Sequence, residues 1–237
     1  MPVRRYKKII VVKIKVVFID IDNTLLDFDE GSKASMKDAF LQYGLEYKEE
    51  FHRTFLEVNN ELWEKIERKE LTKEGLYKVR WNMIFKRHGI CGVDGEAFEK
   101  DFHRYMYDSA IPVKGAKDLL SYLSPKYRIC IASNASYKQQ THRLELADMI
   151  KYADDVFVSE EMGQPKPQKG FFDACFARLE NVLPSECVMI GDSITADITG
   201  TKEYGMLTCL FDRNATHGDR ADADMTVTDL LKIKELL

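Results

Sequence analysis

Five short apolar runs do most to limit what this chain can fold into: Val16-Val17-Phe18-Ile19, Ile129-Cys130-Ile131, Val156-Phe157-Val158, Cys187-Val188-Met189-Ile190 and Leu207-Thr208-Cys209-Leu210. Each is brief and nearly continuously apolar, the texture of a strand covered on both faces of a parallel sheet. Stretches of helical length, over 137–147, 168–180 and 195–204, lie between the later runs. Strand and helix in alternation predict an α/β, Rossmann-like sheet with right-handed crossovers.

One interval breaks the alternation. Over residues 31–111 there is no convincing strand, and apolar residues recur at helical spacing. Met36, Phe40 and Tyr43 form one stripe; Phe51, Phe55, Val58, Leu62 and Ile66 a second; Tyr77, Trp81, Ile84 and His88 a third; Phe98, Phe102 and Tyr105 a fourth. Amphipathic helices of this kind can bury a small core of their own. The expected organisation is a discontinuous α/β core over 1–30 and 112–237, with a helical bundle inserted over 31–111. Pro112 and Gly115 mark the return.

Composition then narrows the function classes. Apolar residues make up 45% of the 237 and charged residues 31%, which excludes a disordered or collagen-like chain. No apolar run approaches the roughly 20 residues that cross a bilayer. Lys and Arg number 35 against 39 Asp and Glu, so net charge makes no case for a nucleic-acid polymer as partner. Five scattered cysteines, with no C-x-x-C pair, argue against a disulfide framework or a zinc site and for a reducing compartment. The first fifteen residues are basic, but Ile9–Val12 is too short for a signal peptide; an extra strand or a ragged extension is expected there. A cytoplasmic protein without a membrane partner follows.

The chemistry gathers where strands end. Phe18-Ile19-Asp20-Ile21-Asp22-Asn23-Thr24 closes the first run with two acids, and Val188-Met189-Ile190-Gly191-Asp192 closes the fourth with another, followed by Asp197. Taken singly, each could be a turn or helix-cap residue. In open α/β sheets, however, ligands bind beyond the carboxyl ends of the strands. Four carboxylates converging on one crevice resist joint ionisation unless a cation is present, and hard oxygen donors suit Mg²⁺. The run at 129–131 leads into Ser133-Asn134, whose hydroxyl and amide can donate to phosphate oxygens. Gln164-Pro165-Lys166-Pro167 stiffens the backbone around a lysine.

Together these segments resemble the haloacid dehalogenase-like (HAD) hydrolase superfamily. Asp20-x-Asp22-x-Thr24 matches its first motif, Ser133-Asn134 the second, Lys166-Pro167 the third and Gly191-Asp192 with Asp197 the fourth. The helical insertion looks like the type 1 cap of that family. Ala135 stands where a glycine commonly follows the Ser/Thr-Asn pair. The resemblance implies an Mg²⁺-dependent phosphomonoesterase working through an aspartyl phosphate. It implies Asp20 as nucleophile, Asp22 as general acid and base, and Lys166, Ser133 and Asn134 around the phosphate. It also implies Asp20, the Asp22 carbonyl and Asp192 on the metal, with Asp197 in direct or water-mediated support. The surplus of negative charge makes Asp22 the expected holder of a proton.

A narrower resemblance, to pyrimidine 5′-nucleotidase-like members, rests on Leu25-Leu26-Asp27-Phe28, Val58-Asn59-Asn60-Glu61-Leu62-Trp63 and Val158-Ser159-Glu160-Glu161-Met162-Gly163. It points to nucleoside 5′-monophosphates or similar small phosphometabolites, handled by a monomer or homodimer. Asn59, Asn60, Trp63, Arg80 and Trp81 are then the candidates for substrate choice, although Trp81 also fits an apolar stripe. A phosphomutase and a 2-haloacid dehalogenase share the fold. Asp22 speaks against the dehalogenase. A non-enzymatic phospho-acceptor module would have no helical insertion.

Overall fold

The computed structural model describes residues 13–216 and 222–237. The expected strand or extension over the basic N-terminus falls on residues 1–12, outside those described. Among the described residues, six parallel strands, β1 (Val16–Ile19), β2 (Arg128–Ser133), β3 (Asp155–Val158), β4 (Cys187–Gly191), β5 (Leu207–Phe211) and β6 (Met225–Val227), form one sheet in the order β3-β2-β1-β4-β5-β6. The five apolar runs are the first five strands. The sixth carries no comparable run: it is three residues at the sheet edge, with only Val227 buried.

β1 lies between β2 and β4, and Ile19 is level with Ile131 on one side and Ile190 on the other. That register brings Asp20, Ser133 and Asp192 to the same end of the sheet. Side chains alternate between two cores. Val17 and Ile19 join Leu119, Leu120, Leu144 and Ile233 on one face, while Val16 and Phe18 join Phe171, Phe172 and Cys175 on the other. Each fully buried side chain of this size stabilises the fold by about 1.5–3 kcal/mol.

Helices α1 (Phe28–Gln42), α2 (Glu49–Glu67), α3 (Lys73–Arg87) and α4 (Gly95–Tyr107) follow β1 and share a third core of their own. α1 starts three residues before the expected boundary at 31, because Asp27 caps it by accepting from Glu30 N at 3.1 Å. Trp81 sits in the middle of this core, with the rings of Phe40, Phe55, Phe85, Phe98 and Phe102 between 4.4 and 6.3 Å away. The outgoing and returning chain segments are bonded to each other: Asp27 N donates to Ile111 O at 2.8 Å and Val113 N to Leu25 O at 2.9 Å.

The other α-helices among the described residues are α5 (Ala116–Leu123), α6 (Tyr137–Leu146), α7 (Ser159–Met162), α8 (Lys169–Arg178) and α9 (Gly200–Tyr204). The helix expected over 195–204 is in two parts, a π-helical turn over Ile194–Thr199 followed by α9. Wider turns of this kind are common beside functional sites. No helix among the described residues is long and apolar enough to cross a membrane.

Candidate active site

Asp20 follows β1 directly and is buried; the chain then makes a tight turn in which Asn23 takes a left-handed backbone (φ 59°) and Thr24, Leu25 and Leu26 N–H groups all point to Ile21 O. Asn tolerates that conformation better than other side-chain-bearing residues. The Lys166 ammonium, only 2% exposed, donates to Asp20 Oδ1 at 2.8 Å, Asp197 Oδ1 at 2.6 Å and the Ala132 carbonyl at 2.6 Å. Burial alone would lower the lysine; Asp197 and Asp20 overcome it and hold the ammonium above its ordinary value. An ammonium has three hydrogens. All three have partners, so Lys166 meets a phosphate oxygen only by giving one of them up.

Asp197 is buried beneath the end of β4. Its Oδ2 accepts from Ser193 N at 3.1 Å, and a Cβ on residue 191 would lie 2.2 Å from the same oxygen. The glycine of Gly191-Asp192 is therefore required by the close approach of Asp197. Asp20, Asp192 and Asp197 each bring a carboxylate oxygen within 4.8 Å of the others. Burial, opposed by Lys166 but helped by Asp197 and Asp22, pushes Asp20 up to about 7. Burial, then Asp20 and Asp197, push Asp192 well above the usual carboxylate range. Three crowded acids facing one lysine form a hard-oxygen donor set short of positive charge, which fits a small divalent cation such as Mg²⁺.

Asp22 is oriented differently. Its carboxylate is not part of that cluster, so only its backbone carbonyl stays available in the metal role read from the sequence. Oδ1 accepts from Arg143 Nη1 and Oδ2 from Gln140 Nε2, both at 2.7 Å. Ser133 Oγ accepts from Ala135 N at 3.1 Å and Gln140 Nε2 at 2.9 Å, which leaves its own hydrogen to donate. The Asn134 side chain bonds the Lys166 backbone at both its carbonyl and its N–H.

Over these groups lies a cavity of about 620 Å³ roofed by the helical insertion. Of the candidates for substrate choice, Asn59, Asn60, Trp63 and Arg80 line it. Trp81 does not: it is fully buried in the insertion's aromatic core, so the apolar-stripe alternative is the correct one. Arg80 is committed to its neighbours, donating to both Glu99 oxygens and to Asn59 Oδ1 at 2.7 Å. Sequence reasoning missed Tyr77, His103, Gln140 and Arg143. Gln140 and Arg143 had a signal: two large polar residues one helical turn apart, beside Leu144, on the face of α6 that turns inward.

The family model for haloacid dehalogenase-like hydrolases matches residues 14–205, and the chain belongs to that family. It is 29% identical over 224 residues to the pyrimidine 5′-nucleotidase YjjG of Escherichia coli, covering 93% of this chain and 96% of the relative. It is 28% identical over 193 residues to the pyrimidine 5′-nucleotidase PynA of Streptococcus pneumoniae, covering 81% of each. Among solved structures, the HAD-hydrolase YfnB of Bacillus subtilis, bound to magnesium and described as revealing interdomain movement, superposes with a TM-score of 0.90. It is 25% identical, and the alignment covers 95% of this chain and 99% of that one.

Proposed function

We propose that this hydrolase is an Mg²⁺-dependent phosphomonoesterase that acts on nucleoside 5′-monophosphates through an aspartyl phosphate. The observation that carries the reading is the placement of Asp20: it sits on the floor of a roofed cavity, beside two further carboxylates and in contact with Lys166. An Asp20 oxygen attacks phosphorus, a bond forms between them, and the bond from phosphorus to the ester oxygen breaks. Asp22 gives a proton to the departing oxygen. Water then attacks phosphorus, loses its proton to Asp22, and the phosphorus–Asp20 bond breaks to release inorganic phosphate.

Asp20, Asp192 and the Asp22 carbonyl would hold Mg²⁺, with Asp197 in support, and the bound ion would supply positive charge to the phosphoryl oxygens. The Ser133 hydroxyl donates to one of those oxygens, and Lys166 can exchange one of its present partners for another. In the roof, Trp63 and Tyr77 offer rings for a base to stack on. The nucleotidase names of two relatives support the nucleotide over other phosphate esters.

A panel of nucleoside 5′-monophosphates, sugar phosphates and 2-haloacids, each with Mg²⁺, tests the reading. Release of inorganic phosphate with preference for nucleotides is expected. Halide release, or isomerisation of a sugar phosphate without net hydrolysis, would overturn it.

A further inference from the structure

We propose that Arg143 and Gln140 are positioning residues for Asp22, and that Arg143 ties Asp22 to the segment returning from the helical insertion. The proposal rests on the phosphatase reading above. Arg143 lies on α6, and its side chain is 2% exposed. Nη1 donates to Asp22 Oδ1 at 2.7 Å and to Gln140 Oε1 at 2.9 Å, while Nε donates to the Ser109 carbonyl at 2.6 Å. Gln140 is fully buried and donates both to Asp22 Oδ2 and to Ser133 Oγ.

The cost of this arrangement shows what it is for. A buried guanidinium must be stripped of water, and an apolar side chain of similar volume commonly packs at least as stably. Among the described residues Arg143 Nη2 has no hydrogen-bond partner, although buried donors rarely go unsatisfied. The packing of α6 alone does not call for such a residue. Asp22 does: its side chain is 32% exposed at the cavity wall, and one donor on each oxygen fixes the plane of its carboxyl group. A carboxylate has about four lone-pair sites, so each oxygen keeps one for the substrate side.

The second half concerns Ser109. His142, next to Arg143, meets Asp108, next to Ser109, at 2.8 Å. Two consecutive residues of α6 thus grip two consecutive residues of the returning segment. A shift of that segment moves the Ser109 carbonyl, and Arg143 carries the displacement to Asp22. Misplacement of a reacting group by about 1 Å can cost on the order of 10²-fold in rate.

The test compares a nucleoside 5′-monophosphate, whose alkoxide needs a proton to leave, with p-nitrophenyl phosphate, whose phenolate does not. Arg143→Met is expected to lower kcat on the nucleotide roughly 10- to 100-fold, within the range that acid–base catalysis supplies. The rate of the p-nitrophenol burst should fall less than about threefold, because that step does not use the proton. Arg143→Lys, which can still reach Asp22 but not Ser109 in the same geometry, should recover part of the nucleotide rate. Combined with Asp22→Asn, Arg143→Met should add little further loss, as expected for residues that act as a unit. Equal losses on both substrates, or a loss in the double variant equal to the product of the single ones, would overturn the proposal. If Arg143→Met fails to give the wild-type circular dichroism spectrum, Gln140→Leu makes the same comparison at the other Asp22 oxygen. Absence of phosphate release by the wild-type chain from either ester would instead overturn the phosphatase reading, a result separate from any behaviour of Arg143.

Discussion

Asn134 holds the backbone of Lys166 at two points: its Oδ1 accepts from Lys166 N at 2.8 Å, and its Nδ2 donates to Lys166 O at 3.0 Å. The second motif therefore fixes the third. Asn134→Leu leaves both backbone groups without their partners, at about 1–3 kcal/mol each if they stay buried. The expected result is a melting temperature lowered by about 2–4 °C per kcal/mol, together with a fall in kcat/KM as Lys166 loses its station. Unchanged kcat/KM would show that Lys166 is held by its side-chain contacts alone.

Asp20→Asn keeps shape and removes the attacking charge, so turnover should vanish while the circular dichroism spectrum persists. Activity within about tenfold of wild type, roughly 1.4 kcal/mol in barrier, would remove Asp20 from its role.

EDTA should abolish activity, and Mg²⁺ should restore it better than Ca²⁺, which takes more ligands at longer distances. Mg²⁺ at one hundred times its dissociation constant should stabilise the wild-type fold by about 2.7 kcal/mol. Asp192→Asn should lose most of that gain. An equal thermal shift in wild type and Asp192→Asn would place the ion elsewhere.

The two tryptophans of the insertion should part company. Trp81→Ala opens a hole among five aromatic rings and should cost about 3–5 kcal/mol of stability. Trp63→Ala, at the cavity wall, should leave the melting temperature nearly unchanged and raise KM for nucleotides. A stability loss at Trp63 to match that at Trp81 would take Trp63 out of substrate binding.

His103 supplies a pH dependence. Burial, then the charges of Arg80 and Arg143, lower its pKa below the ordinary 6.5. As pH falls, the unfolded chain takes up this proton first. The stability it contributes is therefore present above about pH 6.5 and is lost as pH falls through the folded-state value. In chemical denaturation, wild type should lose stability relative to His103→Gln between about pH 7.5 and 5. A difference that does not change with pH would refute it.

The first five strands were legible because parallel strands buried on both faces leave unbroken apolar runs, and Asp20, Ser133 and Asp192 were legible because they lie just beyond those runs; β6, at the sheet edge, leaves no such run. Trp81 shows the limit of residue type as a guide. A tryptophan suits a base and a core equally, and only its neighbours across three other helices decide. The spacing of Gln140 and Arg143 marked them as an inward polar pair but hid their partner for a related reason: Asp22 is more than a hundred residues away. The commitment of Lys166 to three oxygens was hidden too, since motifs give side chains and not their occupancy.

The central place of β1 has a consequence for how the molecule comes into being. Its two neighbours in the sheet are supplied only after the whole insertion has been passed, and Asp20 and Lys166 stand 146 residues apart in the chain. The contacts of the insertion span shorter stretches of chain, as where Tyr43 bonds Asp101, 58 residues further on, and shorter loops close sooner than long ones. In refolding, the helical signal should return well before the ability to release phosphate. Enzymatic activity is thus a clock for the closing of the sheet, and it starts to run only when the last long loop has been drawn in.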